Sequence, residues 1–164
     1  MGKYYNYIDL YDAFYCEQKE ENLEGENMIY CNNCKELRKG IKQQNIYRLP
    51  KYLIIILNRG KNDQDFNEEF KFPEILDFTG KNIVINNQSY KKYYLCGIIT
   101  ICGGNKFNGH YICYCRCDPN SKDFVFYNDS LVPKVRIENA MKEKISKNEY
   151  KKITPYILFY HHFK

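Results

Sequence analysis

The chain has 164 residues, the common size of one domain, and 44% of them are apolar, enough to bury a sizeable core. Its net charge of +5 is mild, and its lysines fall in short runs such as Lys91-Lys92 and Lys151-Lys152 with no basic stripe interleaved with aromatics, so nucleic-acid binding is not expected. The longest apolar run, Tyr52 to Leu57, falls far short of the ~20 residues that cross a bilayer, so no membrane span is expected either.

Residues 6–24 read as a helix, with Ile8, Leu10, Tyr11, Phe14 and Tyr15 at roughly helical spacing and Gly25 closing the segment. Met28 to Cys34 predicts a strand running into a knuckle-like turn. Residues 36–49 alternate loosely and predict another strand, stopped by Pro50. Lys51 to Asn58 is continuously apolar and rich in isoleucine, the pattern of a strand buried on both faces. Gly60 to Glu69 is polar and predicts a loop. Phe70-Lys71-Phe72-Pro73 predicts a short edge segment, because proline cannot donate to a sheet ladder.

A polar turn around Asn86 and Asn87 leads into a long strand, Tyr93 to Cys102, and then a glycine-rich loop from Gly103 to Gly109. Two strands follow, His110 to Cys117 and Phe124 to Tyr127, joined by the turn signal Asp118-Pro119-Asn120-Ser121. Residues 134–148 predict a short helix or an irregular connection, and Tyr156 to Tyr160 a last strand. Seventeen tyrosines and ten phenylalanines lean the composition toward β structure. With no internal repeat, low-complexity tract or linker, the chain reads as one antiparallel, β-rich α+β unit.

Eight cysteines are many for this length. The start, Met1-Gly2-Lys3-Tyr4-Tyr5, carries no apolar leader, so free thiols in a reducing compartment, cytoplasmic or nuclear, are expected rather than a secreted disulfide framework.

If the two strands flanking Asp118–Lys122 form a hairpin, their far ends meet and residues 110 and 128 lie nearly opposite each other on a shared face. That places the imidazole of His110 beside the amide of Asn128. The amide oxygen can accept from one ring nitrogen and leave the other free for a thiol, which holds a general base in one tautomer.

The surrounding text is similar to the histidine box of the ubiquitin-specific proteases (ubiquitin carboxyl-terminal hydrolases): Gly109-His110-Tyr111 after a glycine-rich loop, then Phe124-Val125-Phe126-Tyr127-Asn128-Asp129-Ser130. Other stretches resemble the family in the same order. Tyr30-Cys31-Asn32-Asn33-Cys34 looks like half of its zinc finger. Leu49-Pro50-Lys51-Tyr52 through Asn58-Arg59 looks like its Leu-Pro strand, Phe70-Lys71-Phe72-Pro73 through Asp77 like its Phe-Pro turn, and Tyr156 to Tyr160 like its terminal strand.

This resemblance spans nearly the whole chain and implies that residues 1–164 are a single partial domain. They would be the palm and fingers portion of a papain-like cysteine protease, lacking the helical half that carries the nucleophile. It implies His110 as general base, Asn128 as its orienting partner, Asp129 as a supporting polar neighbour, and Gly109 as the point where a substrate backbone approaches closely. It implies a thiol-dependent hydrolase acting on isopeptide bonds at the C-terminal glycine of ubiquitin. Its partners would be ubiquitin, ubiquitinated proteins and the remaining half of the domain.

The chain departs from the family in three places. The Gly-Asn-Thr-Cys-Tyr box that holds the family's nucleophile is not in the sequence, so this chain alone is expected to be inactive. Asn58-Arg59-Gly60 stands where the family has Lys-Arg-Phe, and Cys102 stands where it often has histidine. Catalysis needs no cofactor on this reading. Cys31 and Cys34 supply one knuckle of a structural zinc site, half of the usual four ligands. Two other readings stand beside the protease: a catalytically inactive ubiquitin-binding or scaffold module of the same fold, and a zinc-ribbon binding protein, which would need a second cysteine knuckle.

Overall fold

The computed structural model describes residues 7–58, 69–87, 90–102, 109–116, 118–141 and 153–162. The first part of the chain forms β1 (Tyr7–Asp9), α1 (Leu10–Glu17), β2 (Glu21–Leu23), a 3-10 turn (Gly25–Asn27), β3 (Ile29–Cys31), β4 (Glu36–Arg38), β5 (Gly40–Lys42), β6 (Ile46–Arg48) and β7 (Tyr52–Ile56). There follow β8 (Glu69–Lys71), β9 (Ile75–Asp77), β10 (Ile85–Asn87), β11 (Lys92–Cys102), β12 (His110–Cys115), β13 (Asp123–Tyr127), β14 (Lys134–Arg136), a short α2 (Ile137–Met141) and β15 (Ile153–His162).

A seven-stranded sheet organises the molecule, in the order β14-β13-β12-β11-β15-β7, with β9 pairing the start of β11. Its ladders are antiparallel throughout. The remaining strands form two-stranded pieces: β2 with β5, β3 with β4, β1 with β8 and β6 with β10. The mostly antiparallel α+β architecture expected from the sequence is therefore present.

One face of the main sheet carries the core. Tyr93, Leu95 and Ile98 of β11, Leu158 and Tyr160 of β15, Ile112 and Tyr114 of β12 and Phe124 of β13 are buried there with Leu10, Leu49, Leu76 and Phe78. Strict alternation would send Leu95 and Ile98 to opposite faces. A register shift between Leu95 and Gly97 inserts Cys96 as an extra residue, and both leucine and isoleucine then reach the core. A second shift, between Ile99 and Thr100, leaves Tyr156 as the extra residue of β15, next to Pro155, the partner of Thr100. Proline tolerated at such an irregularity explains why the last strand begins at Ile153 rather than at the predicted Tyr156.

Three sequence expectations need correction. The predicted helix over 6–24 is only Leu10–Glu17, capped by the Asp9 carboxylate accepting from the Tyr11 amide at 2.8 Å. Beyond Cys16 the sequence Glu17-Gln18-Lys19-Glu20-Glu21 has no apolar face to bury, and Glu21–Leu23 instead pairs with β5. The single strand predicted over 36–49 is three short ones, each with a different partner. The isoleucine-rich segment at 51–58 is not buried on both faces. β7 is an edge strand whose alternate residues Tyr52, Ile54 and Ile56 are exposed, a periodicity that a run of uniformly apolar residues conceals. The loop predicted at 60–69 lies outside the described residues except Glu69, which opens β8.

Arg116 is the one charged side chain among the buried residues described, its side chain 1% exposed. Its guanidinium donates to the carbonyls of Leu95 at 2.8 Å and Ser121 at 2.6 Å and to Glu74 Oε1 at 2.9 Å, and it lies over the rings of Tyr94 and Phe124. It thereby ties β11 to the turn before β9 and to the loop between β12 and β13.

The buried tyrosines make the fold sensitive to base. Tyr93, whose hydroxyl donates to the Pro50 carbonyl at 2.5 Å, has its phenol pushed up to about 12, chiefly by burial and secondarily by Tyr90. Tyr160, donating to the Pro73 carbonyl at 2.6 Å, is likewise raised well above its ordinary value, chiefly by burial. A raised phenol favours the folded state fully below its unfolded value near 10, and that contribution is lost as pH climbs through the folded value. Denaturant midpoints should therefore hold between pH 8 and 9.5 and fall between pH 10 and 12. A midpoint unchanged at pH 11.5 contradicts this.

Candidate active site

His110 opens β12 and is the ladder partner of Cys102, the last residue of β11. On the other side the ladder runs Cys113 with Tyr127, Tyr114 with Phe126 and Cys115 with Val125. Continued, it sets Asn128 opposite Ile112. His110 and Asn128 are thus diagonal neighbours on one face rather than directly opposed, which is the register that a loop spanning Asp118–Lys122 gives. Diagonal neighbours stay within reach of long side chains. The imidazole Nε2 and Asn128 Oδ1 are 2.7 Å apart.

A two-residue turn fixes Asn128 at that point. Asn128 N donates to the Leu131 carbonyl at 3.0 Å and Leu131 N donates back at 2.9 Å, closing the turn around Asp129 and Ser130. Asp129 takes the left-handed conformation this requires, φ +52°, which aspartate tolerates better than most residues. Its Oδ2 then lies 3.6 Å from the same His110 Nε2. The Asp129 side chain is 82% exposed, so water screens that attraction and its contribution is small.

The His110 side chain is 49% exposed, at the rim where the apolar face of β12 comes to its end. Because the carboxamide oxygen only accepts, Nε2 must carry the ring proton, and Nδ1 of the neutral ring is a bare acceptor. Gly109 directly precedes the histidine and is half-buried. The rest of the glycine-rich loop, 103–108, lies outside the described residues.

The cysteines of β12 are unsuited to react with this imidazole. Cys113 and Cys115 alternate onto the face away from His110, and burial pushes the Cys113 thiol up. Cys102 is different, since its ladder position sets it on the face of His110, half-buried and free. No hydrogen bond between it and the ring occurs among the described contacts.

At the other cysteine pair, β3 ends at Cys31 and the chain turns back with Lys35 N donating to the Cys31 carbonyl at 2.8 Å, Lys35 at φ +60°. The backbone amides of Cys34 and Asn33 point at the Cys31 sulfur and lower its pKa. This is knuckle geometry, but it brings two thiols where a structural zinc needs four donors. No group of three or more His, Cys, Asp or Glu that could hold a metal occurs among the described residues, so the donor set described does not fit the ion.

Two residues that shape the site escape a motif search. Leu131 closes the turn through its backbone alone, which leaves no side-chain signal. Arg116 did carry one, because it continues the 112, 114, 116 series of the core face, where a charge has to be explained.

An imidazole beside a carboxamide at the open rim of an antiparallel sheet is an arrangement that can accept a proton. The family model for ubiquitin carboxyl-terminal hydrolase matches residues 19–160, and the chain belongs to that family. It is 30% identical over 149 residues to ubiquitin carboxyl-terminal hydrolase 9 of Saccharomyces cerevisiae, covering 87% of this chain and 19% of that protein. It is 29% identical over 161 residues to ubiquitin carboxyl-terminal hydrolase 21 of Homo sapiens, covering 93% of this chain and 25% of the relative. Among solved structures, a chain of the SAGA Ubp8/Sgf11/Sus1/Sgf73 DUB module bound to ubiquitin aldehyde shares the fold with TM-score 0.67 at 24% identity. That match covers 96% of this chain and 34% of the other. The chain thus spans a quarter or less of the length of these two curated relatives. No helix among the described residues is long and apolar enough to cross a membrane.

Proposed function

We propose that this chain is the general-base part of a cysteine-type deubiquitinase, cleaving the isopeptide bond after the C-terminal glycine of ubiquitin. One observation carries the reading: His110 Nε2 sits 2.7 Å from Asn128 Oδ1 at an open rim, a contact that favours the tautomer with its proton on Nε2. The histidine accepts the proton of a cysteine thiol at Nδ1, and the resulting thiolate attacks the carbonyl carbon. The imidazolium then returns that proton to the leaving lysine amine, and water releases the acyl group by the same base in a second round. Asn128 holds the ring throughout, Asp129 lends the imidazolium a weak negative neighbour, and Gly109 leaves room for the substrate backbone. The partners on this reading are ubiquitin and its conjugates, in the cytoplasm or nucleus, with no metal or cofactor in the chemistry.

The nucleophile on this reading lies outside these 164 residues, in a segment carrying the Gly-Asn-Thr-Cys box. The exposed apolar row Tyr52, Ile54 and Ile56 supports a further protein segment packing on this part. The chain alone should neither turn over a fluorogenic ubiquitin substrate nor be labelled by a thiol-reactive ubiquitin probe, and adding the nucleophile segment should restore both. An adduct on Cys102, located by peptide mass, would overturn the assignment of the nucleophile. An inactive ubiquitin-binding module of the same fold is the second reading. It is favoured if the full-length gene has no such box, or if the combined segments bind ubiquitin without turnover.

A further inference from the structure

The outermost strands of the main sheet, β14 and β7, are built differently. β14 presents Lys134 and Arg136, both exposed, with the Arg136 guanidinium 3.6 Å from the Asp123 carboxylate. Charges of this kind guard a sheet edge against pairing with another chain. β7 carries no charge over Tyr52–Ile56, and Tyr52, Ile54 and Ile56 are each more than half exposed.

The free edge of β7 is open in its backbone as well. Leu57 N donates to the Tyr156 carbonyl at 2.8 Å and His162 N to the Lys51 carbonyl at 3.1 Å, so the odd-numbered residues bond toward β15. Bonding direction alternates residue by residue along an antiparallel ladder. The N–H and C=O groups of Tyr52, Ile54 and Ile56 therefore point outward, and no described contact takes them up.

The occupant that this edge fits can be read from the strand itself. A second β7, antiparallel and related by a two-fold axis at Ile54, sets Ile54 against its own copy, Tyr52 against Ile56 and Leu53 against Ile55. Aromatic and β-branched side chains make favourable cross-strand pairs. Lys51 meets Leu57, so no like charges stand opposed. The outward backbone groups of Tyr52, Ile54 and Ile56 then bond to those of Ile56, Ile54 and Tyr52 in the second copy. Pairing β7 of one copy with β14 of another would repeat without end, but it sets Lys134 and Arg136 against an apolar strand. Self-pairing of β7 uses each free edge once and closes.

We infer that β7 is a docking edge for a second copy of this chain, through which two main sheets join across a two-fold axis, independently of the deubiquitinase reading. So short an edge makes a contact below the roughly 1,200 Å² of stable interfaces, and the dimer is therefore weak and reversible. Sedimentation of the whole chain from about 5 to about 500 μM should show monomer passing to dimer and nothing larger. Ile54→Lys sets two ammoniums against each other at the axis and should weaken the dimer about tenfold or more, as should Ile54→Glu. Mixing the two variants should restore it. Amide hydrogen exchange of the unsubstituted chain locates the contact whether or not the variants fold. The Tyr52, Ile54 and Ile56 amides should exchange freely in dilute solution and slow by about threefold or more at the highest concentration, while Leu53 and Ile55 stay protected throughout. A monomer at every concentration, open-ended growth, or a dimer that leaves those three amides unprotected overturns the inference. Protection of the same amides in dilute solution by an added nucleophile segment would make that segment the occupant, and overturns it too.

Discussion

Replacing Arg116 with methionine should lower the unfolding free energy by about 2–4 kcal/mol, even though it trades a buried charge for an apolar side chain of similar length. The guanidinium bonds at once to the Leu95 and Ser121 carbonyls and to Glu74, so its loss leaves two backbone acceptors without their donor. Glu74 is 40% exposed and can turn to water, which keeps the cost from rising to that of a stranded buried charge. Arg116→Lys keeps the charge but not the fork, and one ammonium cannot replace three donors aimed in different directions. It should recover less than half of the loss. Urea denaturation followed by far-UV circular dichroism measures both. A change below about 0.5 kcal/mol for methionine would mean the three contacts contribute nothing net.

The second large effect concerns the rate. In the full-length protein, His110→Ala should cut hydrolysis of a fluorogenic ubiquitin substrate by about 10²–10⁴-fold, the usual range for losing a positioned base. Asn128→Ala should cost about 10²-fold or less, because the imidazole remains but loses its fixed tautomer. Asn128→Asp keeps an oxygen acceptor at the same place and should retain most of the activity. Asp129→Ala should change little, given its exposure and its 3.6 Å distance from the ring. Equal losses for Asp129→Ala and Asn128→Ala would reverse the roles given to the two residues.

Much of this arrangement was legible in the sequence, and the reason differs from element to element. The β12–β13 hairpin announces itself through Asp118-Pro119-Asn120-Ser121, whose turn is closed by Ser121 N donating to the Asp118 carbonyl at 3.2 Å. Local turn chemistry of that kind needs no tertiary information. The proximity of His110 and Asn128 follows from pairing the strands across Asp118–Lys122, with the pair diagonal rather than directly opposed.

Elements decided by long-range pairing were not legible. Glu21–Leu23 becomes a strand because β5 lies beside it, and no feature of its own sequence says so. The exposed positions of β7 are isoleucine and tyrosine like its buried ones, so hydrophobicity cannot reveal that it lies at the edge. The irregularity at Cys96 is equally silent, yet it decides which β11 residues enter the core. Membership of the family was readable from five short blocks in order, since motif identity survives where strand register cannot be counted.

The central claim is that Asn128 holds His110 with its proton on Nε2 and Nδ1 bare, and nitrogen-15 NMR of the His110 ring in this chain addresses it without any nucleophile present. The neutral ring should show the Nε2–H tautomer, and Asn128→Ala should let the two tautomers mix. A His110 ring protonated on Nδ1, or a tautomer balance that ignores the Asn128 substitution, would contradict the account.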